Sequence, residues 1–178
     1  MQFWVADIVH SREREMRTSC FSMEPKTVGP APTCAVCGLY TGSMMWEPPY
    51  HAELELSGKD MADLCFTMGD GILMSERALR LFEKEAMGGI AFSHPVRIVR
   101  ALRLRRYREP IGEIPPYFYV RLSRTGAAID YEASGLVSTG GPSGCPECHS
   151  FRGVMQKLDR LEILPGTWTG EDFFRIRG

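Results

Sequence analysis

Two Cys-x-x-Cys pairs constrain this chain more than any other feature: Cys34-Ala-Val-Cys37 and Cys145-Pro-Glu-Cys148. Six cysteines scattered at random over 178 residues would give about 0.17 pairs at that spacing. A Cys-x-x-Cys turn lets two thiolates converge on one ion while the N–H groups of the turn approach the sulfurs. Two such knuckles complete a tetrahedral shell of four thiolates. Gly38 follows the first knuckle, where the chain tends to turn left-handed. His149 follows the second, and histidine enters that region more readily than most side chains. The spacing therefore predicts a structural Zn2+ site on Cys34, Cys37, Cys145 and Cys148.

The long segment 38–144 lies between the knuckles. Closing a loop of that length costs about 4 kcal/mol plus a constant, against about 10–16 kcal/mol from structural zinc. The clamp remains favourable if the segment folds so as to bring its ends together. The expectation is a single α+β domain over 1–178, closed by knuckles at 34–38 and 145–149. Three alternatives stay open: a redox dithiol, knuckles that hold no metal, and a catalytic zinc with His149 replacing one thiolate. Neither pair sits between an evident strand and helix, as a thioredoxin-like dithiol does. A closed four-thiolate shell leaves no coordination position for substrate. Cys20 and Cys65 read as small buried hydrophobes.

Composition narrows the class. Eighteen glycines and twelve prolines imply many turns and argue against a helical bundle. A hydrophobic content of 44% excludes a chain too polar to order itself. Twenty-one Lys and Arg balance twenty-two Asp and Glu, so no chain-wide cationic field exists for nucleic acid or membrane. The N-terminus carries no basic region ahead of an apolar one, and no stretch of 18 apolar residues occurs. The expected compartment is cytoplasmic, where thiols stay reduced.

The pattern along the chain predicts a mostly antiparallel sheet with one or two helices and a two-knuckle, zinc-ribbon-like site. Met1–Val9 reads as a first strand and 11–32 as an irregular connection. His51–Ser57 alternates, with Leu54 and Leu56 on one face and Glu53 and Glu55 on the other. Ser75–Met87 reads as a helix with Ser75 as N-cap, a stripe of Ala78, Leu79, Leu81, Phe82 and Ala86, and Gly88-Gly89 as its stop. A strand begins at Ile90–Phe92. Val96–Tyr107 reads as a long strand with Arg97, Val99, Ala101, Arg103 and Arg105 on one face. Tyr117–Leu122 and Ala127–Glu132 read as strands paired across a Thr125-Gly126 turn. Lys157–Leu164 reads as an amphipathic segment.

No phosphate-binding glycine loop, HExxH or GxSxG occurs, and His10, His51, His94 and His149 are scattered. The chain is therefore expected not to be an enzyme. Trp46, Tyr50, Trp168 and Phe173 are candidate anchors for a protein partner, or else core aromatics. Six arginines between Arg97 and Arg108 form either a phosphate-tracking strand or a solvated face paired with acids such as Asp130 or Glu132.

The first knuckle Cys34-Ala-Val-Cys37-Gly38, the Trp/Pro-rich segment after it and the distant second knuckle together resemble the double-CXXCG-motif family of small bacterial, chiefly myxobacterial, proteins. The stretch from Ile72 to Phe92 is similar to a strand–helix–strand phrase common in immunity families of polymorphic toxins. The resemblance implies metal positions at Cys34, Cys37, Cys145 and Cys148. For some members it implies immunity to Sit-type toxins, hence a cognate toxin as partner. This chain departs from the family at His149, where the family has Gly. Its Trp168–Arg175 stretch is similar to one that leads into a further helix in relatives, which implies a shortened copy. The alternative function is a zinc-ribbon nucleic-acid binder using the Arg97–Arg108 strand.

Overall fold

A computed structural model describes residues 18–22, 27–56, 61–66, 71–103, 111–135, 145–148 and 161–177. The expected strand at Met1–Val9, His10, His149 and most of the 157–164 segment lie outside them. The described strands are β1 (Thr18–Ser22), β2 (His51–Leu56), β3 (Leu64–Phe66), β4 (Ile72–Ser75), β5 (Ile90–Arg103), β6 (Tyr117–Leu122), β7 (Arg124–Ala128) and β8 (Arg175–Arg177). One helix, α1 (Glu76–Lys84), joins β4 to β5. A six-stranded sheet runs in the order β1-β2-β5-β6-β4-β3, and β7 pairs with β8 in a second, smaller sheet. Within the large sheet only the β2–β5 junction is parallel. The result is a mixed α/β chain, mostly strands, with one helix among the described residues.

From β2 across to β3 the large sheet is buried on one face, and on the other only in part. On the first face Ala52, Leu54 and Leu56 of β2 are fully buried. They join Val96, Tyr117, Tyr119 and Leu73 with Trp46 and Tyr50 in an aromatic-rich core. On the second face Met74 and Val120 meet Leu79 of α1, with Phe82, Phe118 and Phe173 packed around them. This is why all four positions of β4 are buried, whereas β2 alternates as its sequence predicts.

The helix starts where the sequence places it. Ser75 Oγ accepts from the Ala78 N–H at 3.2 Å and donates to Asp63 Oδ1 at 2.5 Å. Arg77 binds the same carboxylate at 2.6 Å. The guanidinium of Arg77, helped by the Ser75 hydroxyl, holds the Asp63 carboxyl below its usual pKa. The stop differs from expectation. Ala86 takes the left-handed position at φ 50°, with Ala86 N–H bonded to Glu83 O and Met87 N–H to Phe82 O. That is a Schellman cap with alanine in the place usually given to glycine. Leu81, expected in the apolar stripe, is exposed. Gly89 serves a different purpose from stopping the helix. At φ 115° it approaches Phe173 so closely that a Cβ would fall 1.7 Å from the Phe173 carbonyl oxygen.

Three further expectations are corrected. Residues 18–22, read as irregular, form β1, an edge strand paired with β2 and too short to show a period. Ile90–Phe92 and the arginine-rich strand as far as Arg103 are one continuous β5, the rest of that stretch lying outside the described residues, and a bulge shifts its register against β2 between Ala52 and Glu53. The extra residue reverses the alternation. Ile98 and Ala101 pack on the core, while Arg97, Arg100 and Leu102 are exposed. Arg100 then meets Glu53 at 2.6 Å, not Asp130 or Glu132. Finally, β7 forms no hairpin with β6. Its partner is β8, in parallel, and Thr125-Gly126 lies inside β7.

Candidate metal centre

The first knuckle is carried at the end of a two-stranded ribbon. Val28 bridges Trp46, Gly29 N–H bonds to Met45 O and Glu47 N–H bonds to Thr27 O. Trp46 roots this ribbon in the core, its ring edge-on to Tyr50 and Tyr119 at 5.3 Å each. Further out, Thr33 bridges Tyr40 and Thr41 N–H bonds to Pro32 O. The turn closes with Cys34 N–H on Leu39 O at 2.8 Å and Gly38 N–H on Cys34 O at 2.9 Å. Gly38 sits at φ 70°, the left-handed conformation its position after the second cysteine calls for.

The second knuckle, a turn over 145–148, comes from the other end of the chain. The region before it is fixed by Asp130, whose N–H bonds to Glu162 O and whose Oδ1 accepts from Ala133 N–H. Ser134 Oγ accepts from the Glu162 N–H at 2.9 Å. Tyr131 lies close enough to Cys148 for their charges to interact. Burial first, and that thiolate second, push its phenol pKa up.

All four sulfurs converge within 4.8 Å of one another. Cys34 Sγ lies 3.8 Å from Cys145 Sγ, and Cys37 Sγ lies 3.6 Å from Cys148 Sγ. A tetrahedron with metal–sulfur bonds of about 2.3 Å has edges of about 3.8 Å. A disulfide would bring two sulfurs to about 2.05 Å, and no disulfide joins any of the four. Cys34 and Cys148 are buried, Cys37 and Cys145 partly so. The Leu39 N–H bonds to the Cys37 sulfur and favours the thiolate. Desolvation and the neighbouring thiols, Cys148 foremost, outweigh it and push the metal-free pKa up to about 11. Four thiols held this close without a cation oppose one another's ionisation; a cation reverses that balance. The cluster can therefore hold a metal ion.

Cys65 stays apart from this centre. It is buried among the core side chains, and burial pushes its thiol up to about 12, as befits an inert packing residue. The side chain of Cys20 lies outside the description. Trp46 and Tyr50, considered as partner anchors, are buried in the core. Phe173 packs on Phe82 at 5.5 Å, and Trp168 donates to Glu171 O beside Phe174. The exposed apolar side chains near the first knuckle are others: Val36 at 65%, Tyr40 at 73% and Met44 at 54%. The four aromatics singled out from the sequence did not include Tyr40. The signal was available in segment 27–49, which contains no Lys, Arg or Asp and a single Glu47. The arginines of β5 do not form one stripe, because Arg103 turns to the opposite face from Arg97 and Arg100.

No family model, no curated protein and no solved structure matches the chain. Fold and site define its class all the same: a mixed α/β protein in which four cysteines from two distant knuckles form a cluster able to hold a metal ion. No helix among the described residues is long and apolar enough to cross a membrane.

Proposed function

We propose that the four cysteines hold one structural zinc ion and that the protein works by binding another protein, not by catalysis. The observation that carries this is the convergence of four sulfurs, with cross-knuckle distances of 3.6 and 3.8 Å. Four thiolates suit zinc and fill its tetrahedral shell, which leaves no site for a substrate. The metal then closes the chain and presents the first ribbon as a rigid surface. Val36, Tyr40 and Met44 stand out on that surface, in a segment without a cation. Such a surface suits an apolar protein epitope and offers nothing to phosphate. The specific role implied by the double-CXXCG resemblance is immunity, in which the ribbon occludes a cognate toxin.

Three measurements test this. Metal analysis of the purified chain should find about one zinc per chain, with iron as the competing four-thiolate metal. The zinc-loaded protein should bind the toxin encoded by the adjacent gene and lose that binding on Tyr40→Ala. Titration with duplex DNA at low salt should give no saturable binding. Binding that weakens steeply with salt would favour the arginine strand instead.

A further inference from the structure

Resting on the metal reading above, we propose that the four-cysteine centre is a redox-convertible clamp. When peroxide displaces the metal, the sulfurs join across the knuckles as Cys34–Cys145 and Cys37–Cys148, and the chain stays closed. All four sulfurs lie within 4.8 Å of one another, and two cross-knuckle pairs stand at 3.8 and 3.6 Å, each spanning 111 positions. To form a bond of about 2.05 Å, each pair must approach by under about 2 Å. Each pair also combines a half-buried cysteine with a buried one: Cys145 with Cys34, and Cys37 with Cys148. An oxidant reaches the half-buried member, and the sheltered member is in place to resolve it.

The chemistry balances with hydrogen peroxide as the named oxidant. The half-buried thiolate attacks one peroxide oxygen, the O–O bond breaks, and a sulfenic acid and hydroxide result. The sheltered thiolate then attacks the sulfenic sulfur, the S–O bond breaks, and a second hydroxide leaves as the S–S bond forms. Two thiolates are oxidised by two electrons and one peroxide is reduced. A second peroxide completes the second pair. With no thiolate left to hold it, the zinc ion departs. Oxidation thus replaces a metal clamp with a covalent one between the same two arms, where disulfides within each knuckle would leave the arms unlinked.

The test treats the full zinc-loaded chain with limiting hydrogen peroxide, follows zinc release with a colorimetric chelator and maps disulfides under non-reducing conditions. The expected result is release of zinc together with peptides joined across the two knuckles. Two-cysteine variants fix the pairing. Cys37→Ser with Cys148→Ser retains Cys34 and Cys145, and should cross-link about tenfold faster than Cys37→Ser with Cys145→Ser, which retains Cys34 and Cys148. Disulfides confined to Cys34–Cys37 and Cys145–Cys148, or sulfinic acids without disulfides, would overturn the proposal, and the wild-type mapping decides this even if a variant misfolds. A chain that holds no zinc yet still links Cys34 to Cys145 overturns the metal reading and leaves the clamp standing. Zinc binding with disulfides only inside the knuckles does the reverse.

Discussion

The large sheet and the knuckle ribbon hold together by different means. In the sheet, β4 and β6 are covered on both faces: Leu73 and Tyr119 face the aromatic core, and Met74 and Phe118 face the helix side. Its ordering entropy is offset by apolar burial, which needs no ion. In the ribbon between Thr33 and Met44 the apolar side chains Val36, Tyr40 and Met44 point to solvent, and the side chain buried there is a metal-type cysteine, Cys34. The two regions meet at Trp46, which belongs to both. On the proposed reading the chain divides its labour: hydrophobic burial builds the platform, and four sulfurs on one ion fix what stands on it. If so, the regions should respond separately to damage.

Removing a ligand should have the largest effect. Cys145→Ser, or chelation, should abolish zinc binding and forfeit stabilisation on the order of 10 kcal/mol at the site. The near-ultraviolet signal of Trp46, Tyr50 and Tyr119 should survive, while limited proteolysis should open the chain within 30–45. Loss of the aromatic signal along with the metal would show that the platform also depends on the clamp. The converse is Tyr119→Ala, which leaves a cavity beneath Trp46 and Tyr50 and should cost about 3–5 kcal/mol in denaturant unfolding. The fraction that remains folded should still carry its zinc.

The same division decided what could be read from the sequence. The cysteine site was legible because ligand chemistry demands a spacing that chance seldom supplies. β2 was legible because one face is buried and the other is not, so Leu54 and Glu53 alternate. The helix start was legible because Ser75 acts on an N–H three residues away. What failed was non-local. The bulge that moves Leu102 into solvent and Ala101 onto the core depends on how β5 meets β2, and Val99 does not announce it. The partner of β7 is a strand nearly fifty residues on, which no turn signal at Thr125-Gly126 could reveal. Tyr40 was overlooked because exposure, unlike ligand type, is not written in a residue's identity.

Smaller changes at the two ends of α1 sharpen the claim that the platform is self-supporting. Ser75→Ala removes the N-cap oxygen and should cost about 0.5–2 kcal/mol of stability, read by thermal unfolding, with zinc content unchanged. Ala86→Gly should act in the opposite direction. The left-handed cap carries a Cβ penalty that glycine removes, so unfolding should shift upward by about 0.5–1 kcal/mol. A null result at Ala86 would mean that glycine's extra freedom in the unfolded chain cancels the relief of strain.

The smallest expected effect separates platform from clamp by pH. Asp63 is held below its ordinary pKa by Arg77 first and Ser75 second. A carboxyl lowered in the folded state contributes stability that is present above its unfolded pKa of about 3.9 and is lost as pH falls through the folded value. The pair is well exposed, so screening keeps its contribution under about 1 kcal/mol. Asp63→Asn should therefore destabilise the protein slightly at neutral pH, and the difference between wild type and variant should start to shrink near about pH 3.9 and vanish only once pH has fallen through the lower folded pKa, where the wild-type carboxyl is also neutral. The thiolate site should fail at higher pH, because protons compete directly with zinc for sulfur. On acidification, zinc release should come first and should occur at the same pH in wild type and Asp63→Asn. A shift of the release midpoint by the Asp63 variant would show that the platform and the clamp are energetically one unit.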